Sequence, residues 1–183
     1  MSYRSFLTII ATAVILTACV TAQQLAQVSD QQFEQMRSEI PVSQDAGDKA
    51  YVSCVSNAII AELEPPYSGY AWDVEVFADE AVNAFAMPGG KIGVFDGLFK
   101  AATNQNELAA VIGHEVAHVT RDHSVDRANR ELGVGAVISV GAQVLGVDPT
   151  VTDGIGILAD YGLLKPYGRG QESEADLVGL KYM

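Results

Sequence analysis

Histidine, cysteine and basic residues are scarce in this sequence. Its 183 residues include three histidines, two cysteines and 11 Lys and Arg residues, against 23 Asp and Glu residues, and the formal net charge is −12. A surface that binds nucleic acid needs clustered Lys and Arg side chains, so this balance argues against a nucleic-acid partner. Long runs of like charge, low-complexity stretches and internal repeats are also lacking, which argues against a charged disordered tail and a repeat architecture.

An apolar run long enough to cross a membrane is missing too. A spanning helix needs about 20 apolar residues, and the two longest candidates, residues 6–16 and 132–147, are shorter. The second is rich in Gly and Ala, which fits either a segment that faces a membrane or a substrate, or a closely packed buried helix; we favour the buried helix. With 49% apolar residues, the chain has the composition and length of one globular domain.

The first residues have the order of a secretory signal. One basic residue, Arg4, precedes the apolar run, and Leu16-Thr17-Ala18-Cys19 ends it. These four residues resemble the lipobox of bacterial lipoproteins, which implies a signal peptide over residues 1–18, cleavage before Cys19 and a lipid on the Cys19 sulfur. Val20 follows where an aspartate would favour the inner membrane, so we expect an outer-membrane anchor. The alternative is an ordinary N-terminal anchor, or a secretory signal that is cleaved a few residues later.

Residues 19–44 are predicted to link this anchor to the folded domain. The Gln-rich stretch 20–30 is typical of a short tether, and Ser29 or Asp30 can cap a first helix. If the anchor cysteine carries a lipid, Cys54 has no intramolecular partner. Its thiol is then either a small buried hydrophobic group or available for an intermolecular bridge, and we favour the buried group.

Helix and strand patterns predict an α+β domain over residues 45–183. Helical spacing, strand-like alternation and turn residues follow one another along this part of the chain. The predicted elements are a helix over residues 45–63, strands over 72–78 and 91–95 with a turn at 88–90, a helix after Asn104 and a last helix from near Gln171. The helix after Asn104 is apolar on nearly every face, so we expect it to be buried and its polar groups to have partners.

Two of the three histidines lie four residues apart on that buried helix. In His114-Glu115-Val116-Ala117-His118, both imidazoles share one helix face, close enough for one metal ion, and Glu115 lies one step round the helix. In this HExxH arrangement the imidazoles bind zinc and the glutamate acts as general base. The alternative is two buried imidazoles that share a helix face, although a chance match to the motif is on the order of one in a few hundred.

A catalytic zinc ion needs a third protein ligand and an open position for water. The histidine-rich extension of the motif is absent, and His123 is too near in sequence to reach round. We expect His123 to be a polar surface residue, with contact to substrate or to zinc-bound water as the alternative. Glu172 and Asp176 share one face of the last helix, so one can bind zinc while the other accepts a hydrogen bond from a zinc-bound imidazole. Glu174 points away from both and is predicted to be exposed.

Three motifs, in this order along the chain, resemble a known peptidase family. They are NAFAMPGGKIGV at residues 83–94, HEVAH at 114–118 and ESEAD at 172–176. Together they are similar to the gluzincin metallopeptidases that include the CAAX prenyl endopeptidases and the HtpX, BepA and LoiP proteases, over about residues 45–183 of this chain. The resemblance implies a mostly helical, zincin-like α+β fold with a small β-sheet, whose edge strand precedes the HExxH helix.

The resemblance also implies roles for individual residues. The implied ligands of one Zn²⁺ per chain are His114, His118 and Glu172. Asp176 is the implied hydrogen-bond partner of a ligating histidine, and Glu115 is the implied general base. Family members usually continue beyond this point, so a catalytic domain that is incomplete at its C-terminus is one expectation.

An extended substrate is expected to lie against a strand edge. The strand before the zinc helix is the candidate, because a peptide can pair with an exposed strand by β-augmentation. The candidate substrate-binding residues are Lys91, Ile92, Gly93 and Val94, and the missing side chain of Gly93 would leave room for substrate. The alternative is an ordinary sheet edge without a ligand. Tyr161, Tyr167 and Arg169 are equally open candidates for stabilising the oxyanion.

The combined expectation is a zinc-dependent metalloendopeptidase in periplasmic quality control. Its expected partners are unfolded or misassembled envelope proteins, which it hydrolyses, and the outer membrane, to which a lipid on Cys19 would anchor it. The alternative is a non-catalytic or latent zinc-binding lipoprotein that acts as an envelope chaperone. A structural zinc site is closed by four ligands and needs no glutamate beside its first histidine, so Glu115 favours the enzyme.

Overall fold

The computed structural model describes residues 19–131 and 167–183. Its helices are α1 (Ala22–Glu39), α2 (Ala46–Ala61), α3 (Gln105–Thr120) and α4 (Arg169–Gly179), and its strands are β1 (Asp73–Phe77), β2 (Ala84–Met87) and β3 (Lys91–Phe95). Residues 123–131 are also helical, and 3₁₀ turns occupy Tyr67–Gly69 and Asp96–Lys100. The predicted α+β class is confirmed.

Some sequence predictions concern residues outside these ranges. The predicted signal peptide over residues 1–18, the apolar segment 132–147 and Tyr161 all lie there, so what was inferred for them stays a prediction. Within the described ranges, no helix is both long and apolar enough to cross a membrane.

The three strands form one sheet with the order β1-β3-β2, in which β1 is parallel and β2 antiparallel to β3. Successive side chains of a strand point to opposite faces, so the sheet supports two separate apolar layers. One layer packs against α2 and α3. Its buried residues include Val76, Ile92 and Val94 from the sheet, Val52, Val55 and Ile59 from α2, and Leu108, Ile112 and Val116 from α3. This layer fixes the HEVAH helix against the sheet.

Helix α1 covers the other face of the sheet. Phe33 and Met36 on α1 pack with Phe77, Phe85 and Phe95, one from each strand. The Phe33 ring centroid lies 5.9 Å from that of Phe77 and 6.2 Å from that of Phe85, both in edge-to-face geometry, which is a favoured arrangement for aromatic pairs. The N-terminal helix is therefore part of the packed domain.

The prediction of a tether over residues 20–30 is wrong for this reason. The helix already begins at Ala22, where the Thr21 hydroxyl accepts a hydrogen bond from the Gln24 amide and Gln24 reaches back to the Thr21 amide. This reciprocal capping box satisfies two backbone donors of the first turn. Ser29, a predicted cap, is instead buried inside the helix.

Strand β3 is central, so the prediction that it is the sheet edge is wrong. Lys91, Ile92, Gly93 and Val94 pair with β1 on one side and with β2 on the other, and an added peptide finds no free ladder there. The space expected beside Gly93 is also filled, because a Cβ atom on it would overlap the Phe85 ring. Among the described strands, β2 is the edge on the side of α3.

The predicted starts of the two core helices are confirmed. Asp45 and Asn104 cap α2 and α3 with side-chain oxygens that accept hydrogen bonds from backbone amides of the first turn. Cys54, predicted to be buried, is exposed. The buried face of α2 carries Val55 and Ile59, and Cys54 lies on the opposite side.

Candidate metal centre

Helices α3 and α4 meet at two glycines. Gly113 immediately precedes the first histidine of HEVAH, and Gly179 is the last residue of α4. A Cβ atom on Gly179 would stand 2.8 Å from the Gly113 carbonyl carbon and 2.8 Å from the His114 amide nitrogen. Because neither residue has a side chain, the two backbones come into contact, and α4 is held against the histidine-bearing helix.

Three predicted ligands converge between these helices. The Nε2 atoms of His114 and His118 lie 3.0 Å apart. Glu172 approaches both, with Oε2 3.4 Å from His114 Nε2 and Oε1 3.9 Å from His118 Nε2. One donor atom from each residue lies within 4.8 Å of the others. The structure thus brings the three together, and Glu172, not Asp176, is the carboxylate that faces both histidines.

This donor set fits a zinc ion. Two imidazole nitrogens and one carboxylate oxygen are ligands that Zn²⁺ takes in catalytic sites, and three protein ligands leave a fourth position for water. His118 is only 1% exposed, and its burial lowers the pKa of the imidazole to about 3. The ring is therefore neutral near pH 7, which is the state in which imidazole binds a metal.

Two further contacts fix the orientation of the candidate ligands. Asp176 Oδ1 lies 2.8 Å from Nδ1 of His114, the ring nitrogen opposite the one that faces the other ligands. When Nε2 binds a metal, Nδ1 carries the proton and donates to Asp176, as was predicted for this aspartate. The Tyr167 backbone amide donates to Glu172 Oε1 over 3.2 Å, which holds the carboxylate at the start of α4.

Glu115 lies beside the candidate ligands and outside their set. Loss of solvent raises the pKa of its carboxyl group to about 7, while the nearby His114 opposes this rise, Glu172 adds to it, and a hydrogen bond from the Ala86 amide opposes it. A cation bound next to the carboxyl group would favour its ionised form. The contact with Ala86 places β2, the edge strand, directly against the predicted general base.

The prediction that His123 is a surface residue is wrong. Only 2% of it is exposed, and its Nδ1 lies 2.9 Å from Nδ1 of His118. Asp122 has a φ of 52°, so the chain turns sharply after α3 and brings His123 back to the His118 ring. From its spacing, His123 was judged too near along the chain to reach round, and the left-handed residue that brings it back to His118 has no clear sequence signal.

Glu174 also contacts the histidine cluster, which its position in the sequence did not indicate. It was predicted to be exposed and apart from the site, but it is partly buried and lies 3.4 Å from His123 Nε2 through Oε2. Arg121 donates to its other oxygen. The Arg121 and His123 hydrogen bonds lower the pKa of the Glu174 carboxyl group. Helix α4 therefore supplies one carboxylate, Asp176, to His114 and another, Glu174, to His123.

Tyr167 and Arg169, the candidates for stabilising the oxyanion that lie within the described residues, differ in position. The Tyr167 ring stacks on His118, with centroids 3.8 Å apart and planes at 15°, and its hydroxyl bonds to Ser124 over 2.8 Å and to Arg127 over 3.3 Å. The Tyr167 ring therefore packs against a candidate ligand, while its hydroxyl is hydrogen-bonded to residues outside the candidate ligand set. Arg169 is exposed at the start of α4.

Fold and site together define the class. A buried HExxH helix, a carboxylate supplied by a later helix and a small sheet beside the motif's glutamate are the features of a zincin-type metallopeptidase domain. The sequence profile of peptidase family M48 matches residues 46–183, and the chain belongs to this family.

Curated relatives agree with this assignment. The mitochondrial metalloendopeptidase OMA1 of Schizosaccharomyces pombe is 35% identical over 133 residues, which cover 73% of this chain and 38% of that protein. The metalloprotease LoiP of Escherichia coli is 27% identical over 198 residues, covering 96% of this chain and 77% of that protein. The beta-barrel assembly-enhancing protease of Yersinia pestis is 27% identical over 182 residues, covering 91% of this chain and 35% of that protein. The chain thus spans well under half the length of the first and third relatives.

Proposed function

We propose that this chain is a zinc-dependent endopeptidase. The observation that carries the proposal is the convergence of His114, His118 and Glu172 on one position, with the Glu115 carboxyl group beside it and in contact with an edge strand. A structural zinc site needs no such carboxyl group. Membership of a peptidase family supports the same function.

The residues of the site divide the reaction between them. A zinc ion, when bound, would lower the pKa of a water molecule and polarise the scissile carbonyl. Glu115 would accept a proton from the attacking water and deliver it to the leaving amine. The Ala86 amide, which donates to this carboxylate, keeps it oriented. Asp176 holds the ring of His114 through its Nδ1 proton.

The substrate is proposed to lie along β2 instead of β3. The Phe95 amide donates to the Asn83 carbonyl across the antiparallel pair, and ladder bonds alternate along such a pair. The backbone groups of Ala84 and Ala86 therefore point away from β3. Because the Ala86 amide donates to Glu115, a peptide would pair through the Ala84 groups and the Ala86 carbonyl. A peptide that pairs with this edge would pass beside Glu115, which supports an extended, unfolded substrate.

The direct test compares the wild-type chain with Glu115→Gln. Zinc content is measured by metal analysis, and proteolysis is measured on an unfolded protein such as casein. The amide keeps the size of the carboxyl group and removes the proton acceptor, so zinc should stay bound while cleavage falls by about 10²- to 10⁴-fold. Glu64→Gln, an exposed change of the same kind, is the matched control and should leave both unchanged.

Two outcomes would contradict the proposal. If the wild-type chain binds no zinc, His114, His118 and Glu172 do not form a zinc site. If zinc binds and the wild type cleaves no better than Glu115→Gln, the alternative of a non-catalytic or latent zinc-binding chaperone is favoured.

We further propose that the chain is a lipoprotein of the bacterial envelope that degrades misassembled envelope proteins. The resemblance of residues 16–19 to a lipobox supports this, as does the similarity to the beta-barrel assembly-enhancing protease of Yersinia pestis. The OMA1 relatives, by contrast, are mitochondrial. The Asn129 side chain holds Val20 through two hydrogen bonds of 2.6 and 3.0 Å. A lipid on Cys19 would therefore keep the domain close to the membrane. Membrane fractionation and fatty-acid labelling of wild type and Cys19→Ala test the anchor, and both signals should be lost in the variant.

A further inference from the structure

We propose that His123 and Glu174 position the zinc ligand His118, through a second hydrogen-bond chain that matches the one from His114 to Asp176. The inference rests on the metal site of the proposed function. His118 Nδ1 lies 2.9 Å from His123 Nδ1, and His123 Nε2 lies 3.4 Å from Glu174 Oε2. Arg121 holds the other oxygen of Glu174.

The geometry assigns the donor and the acceptor of each hydrogen bond from His118 through His123 to Glu174. His118 faces the other ligands with Nε2, so a neutral ring that binds metal there carries its proton on Nδ1. That proton is donated to His123 Nδ1, which must then be bare. His123 accordingly carries its own proton on Nε2 and donates it to Glu174. One carboxylate thus selects the tautomer of two successive rings.

Because both histidines are buried, losing the hydrogen bond between His118 and His123 should be costly. His118 and His123 are 1% and 2% exposed, so water does not replace a missing partner easily, and an unpaired buried N–H is costly. In contrast, His114 is partly exposed and its partner Asp176 is exposed. We therefore expect His118 to depend on its neighbour at least as strongly as His114 depends on Asp176.

The competing explanation is that His123 only fills space beneath the site. Two substitutions separate the explanations. His123→Asn places an acceptor oxygen near the position of Nδ1, whereas His123→Phe keeps the volume and aromatic ring without any acceptor. Loss of packing would affect the smaller Asn variant more, and loss of the hydrogen bond would affect the Phe variant more.

The measurement is zinc affinity of the full chain, by competition with a chromophoric chelator, alongside thermal unfolding of the metal-free chain. We expect His123→Phe to weaken zinc binding by about 10- to 100-fold, the usual effect of losing such a partner, and His123→Asn to recover most of the affinity. Long-range ¹H–¹⁵N correlation spectra of the zinc-loaded wild type should show His123 protonated on Nε2 and bare on Nδ1.

A second pair of variants keeps the test decisive if His123→Phe fails to fold. Glu174 is partly exposed, so Glu174→Ala and Glu174→Gln are both compatible with folding; Gln retains an acceptor oxygen and should bind zinc more tightly than Ala. Unchanged zinc affinity in His123→Phe or in Glu174→Ala, or a His123 proton on Nδ1, would overturn the inference. Absence of zinc from the wild type would instead overturn the proposed function.

Discussion

At the scale of single residues, the three histidines differ only in their surroundings. His114 is partly exposed and bonded to an aspartate, His118 is buried between two other histidines, and His123 connects His118 to Glu174. Burial keeps His118 neutral by lowering the pKa of its ring. Identical side chains thus provide two candidate metal ligands and one supporting group.

Tyr167 allows the ring and the hydroxyl of one supporting residue to be tested separately. Its ring stacks on His118, and its hydroxyl bonds to Ser124 and Arg127. Tyr167→Phe keeps the stacked ring, so we expect zinc affinity to stay within a few-fold and stability to fall by about 1 kcal/mol for the lost hydrogen bonds. Tyr167→Ala removes the ring and should weaken zinc binding by about 10-fold or more.

Urea unfolding and zinc competition of both Tyr167 variants provide the check. Equal zinc affinities for the Phe and Ala variants would mean that the stacked ring does not hold His118 in place.

At the scale of elements, the site depends on how closely α4 approaches α3. The histidines are local to α3, but Glu172 arrives from α4, and the Gly113–Gly179 contact sets the distance between the two backbones. Tyr182, just after α4, adds a hydrogen bond of 2.9 Å to Thr120 at the end of α3. The third ligand is therefore positioned by helix packing.

Gly179→Ala should disturb this packing. The new Cβ atom would stand 2.8 Å from backbone atoms of Gly113 and His114, which cannot move as a flexible side chain can. We expect a loss of about 1–3 kcal/mol in unfolding free energy, typical of overpacking, and weaker zinc binding because Glu172 moves away from the histidines.

The matched control is Gly170→Ala in the same helix, where a Cβ atom would meet nothing within 4 Å. Alanine is the better helix former by about 1 kcal/mol or less, so stability should be equal or slightly higher. Chemical denaturation and zinc titration of the two variants decide the matter, and a Gly179→Ala chain that behaves like the control would show that the helices have room to separate.

At the scale of the whole molecule, the sheet separates the candidate metal centre from the N-terminal helix. α3 and its histidines lie against one face, and α1 seals the other. Polar contacts complete the attachment: Arg37 on α1 bonds to Asp73 over 2.6 Å, and Lys91 on β3 lies 3.1 Å from Asp30. The segment after the predicted anchor is therefore needed to cover the core.

Phe33→Ala tests whether α1 belongs to the folding unit. Phe33 is fully buried among aromatic rings, so its truncation should cost about 3–5 kcal/mol of unfolding free energy. Gln31→Ala, an exposed change on the same helix, should stay within about 0.5 kcal/mol. If urea denaturation gives the same free energy for both variants, α1 does not stabilise the domain.

Several features followed from the sequence because local physics determines them. The i, i+4 spacing of His114 and His118 puts both rings on one face of any helix, and the apolar surroundings of HEVAH make that helix a core helix. Capping residues such as Asp45 and Asn104 mark helix starts through their own backbone bonds. These statements need no knowledge of distant residues.

Other features were decided only by the tertiary structure. Strand order is a non-local property, so the sequence predicted a strand over residues 91–95 but could not show that this strand is central. The fate of His123 depends on a single left-handed residue, Asp122, and on α4 arriving beside it with Glu174. The sequence by itself determined which helix carries the histidines and which face they share. The packing of α4 and α1 determined what surrounds them. Contacts between distant segments depend on the combined fit of all layers, and they leave no periodic pattern in the chain.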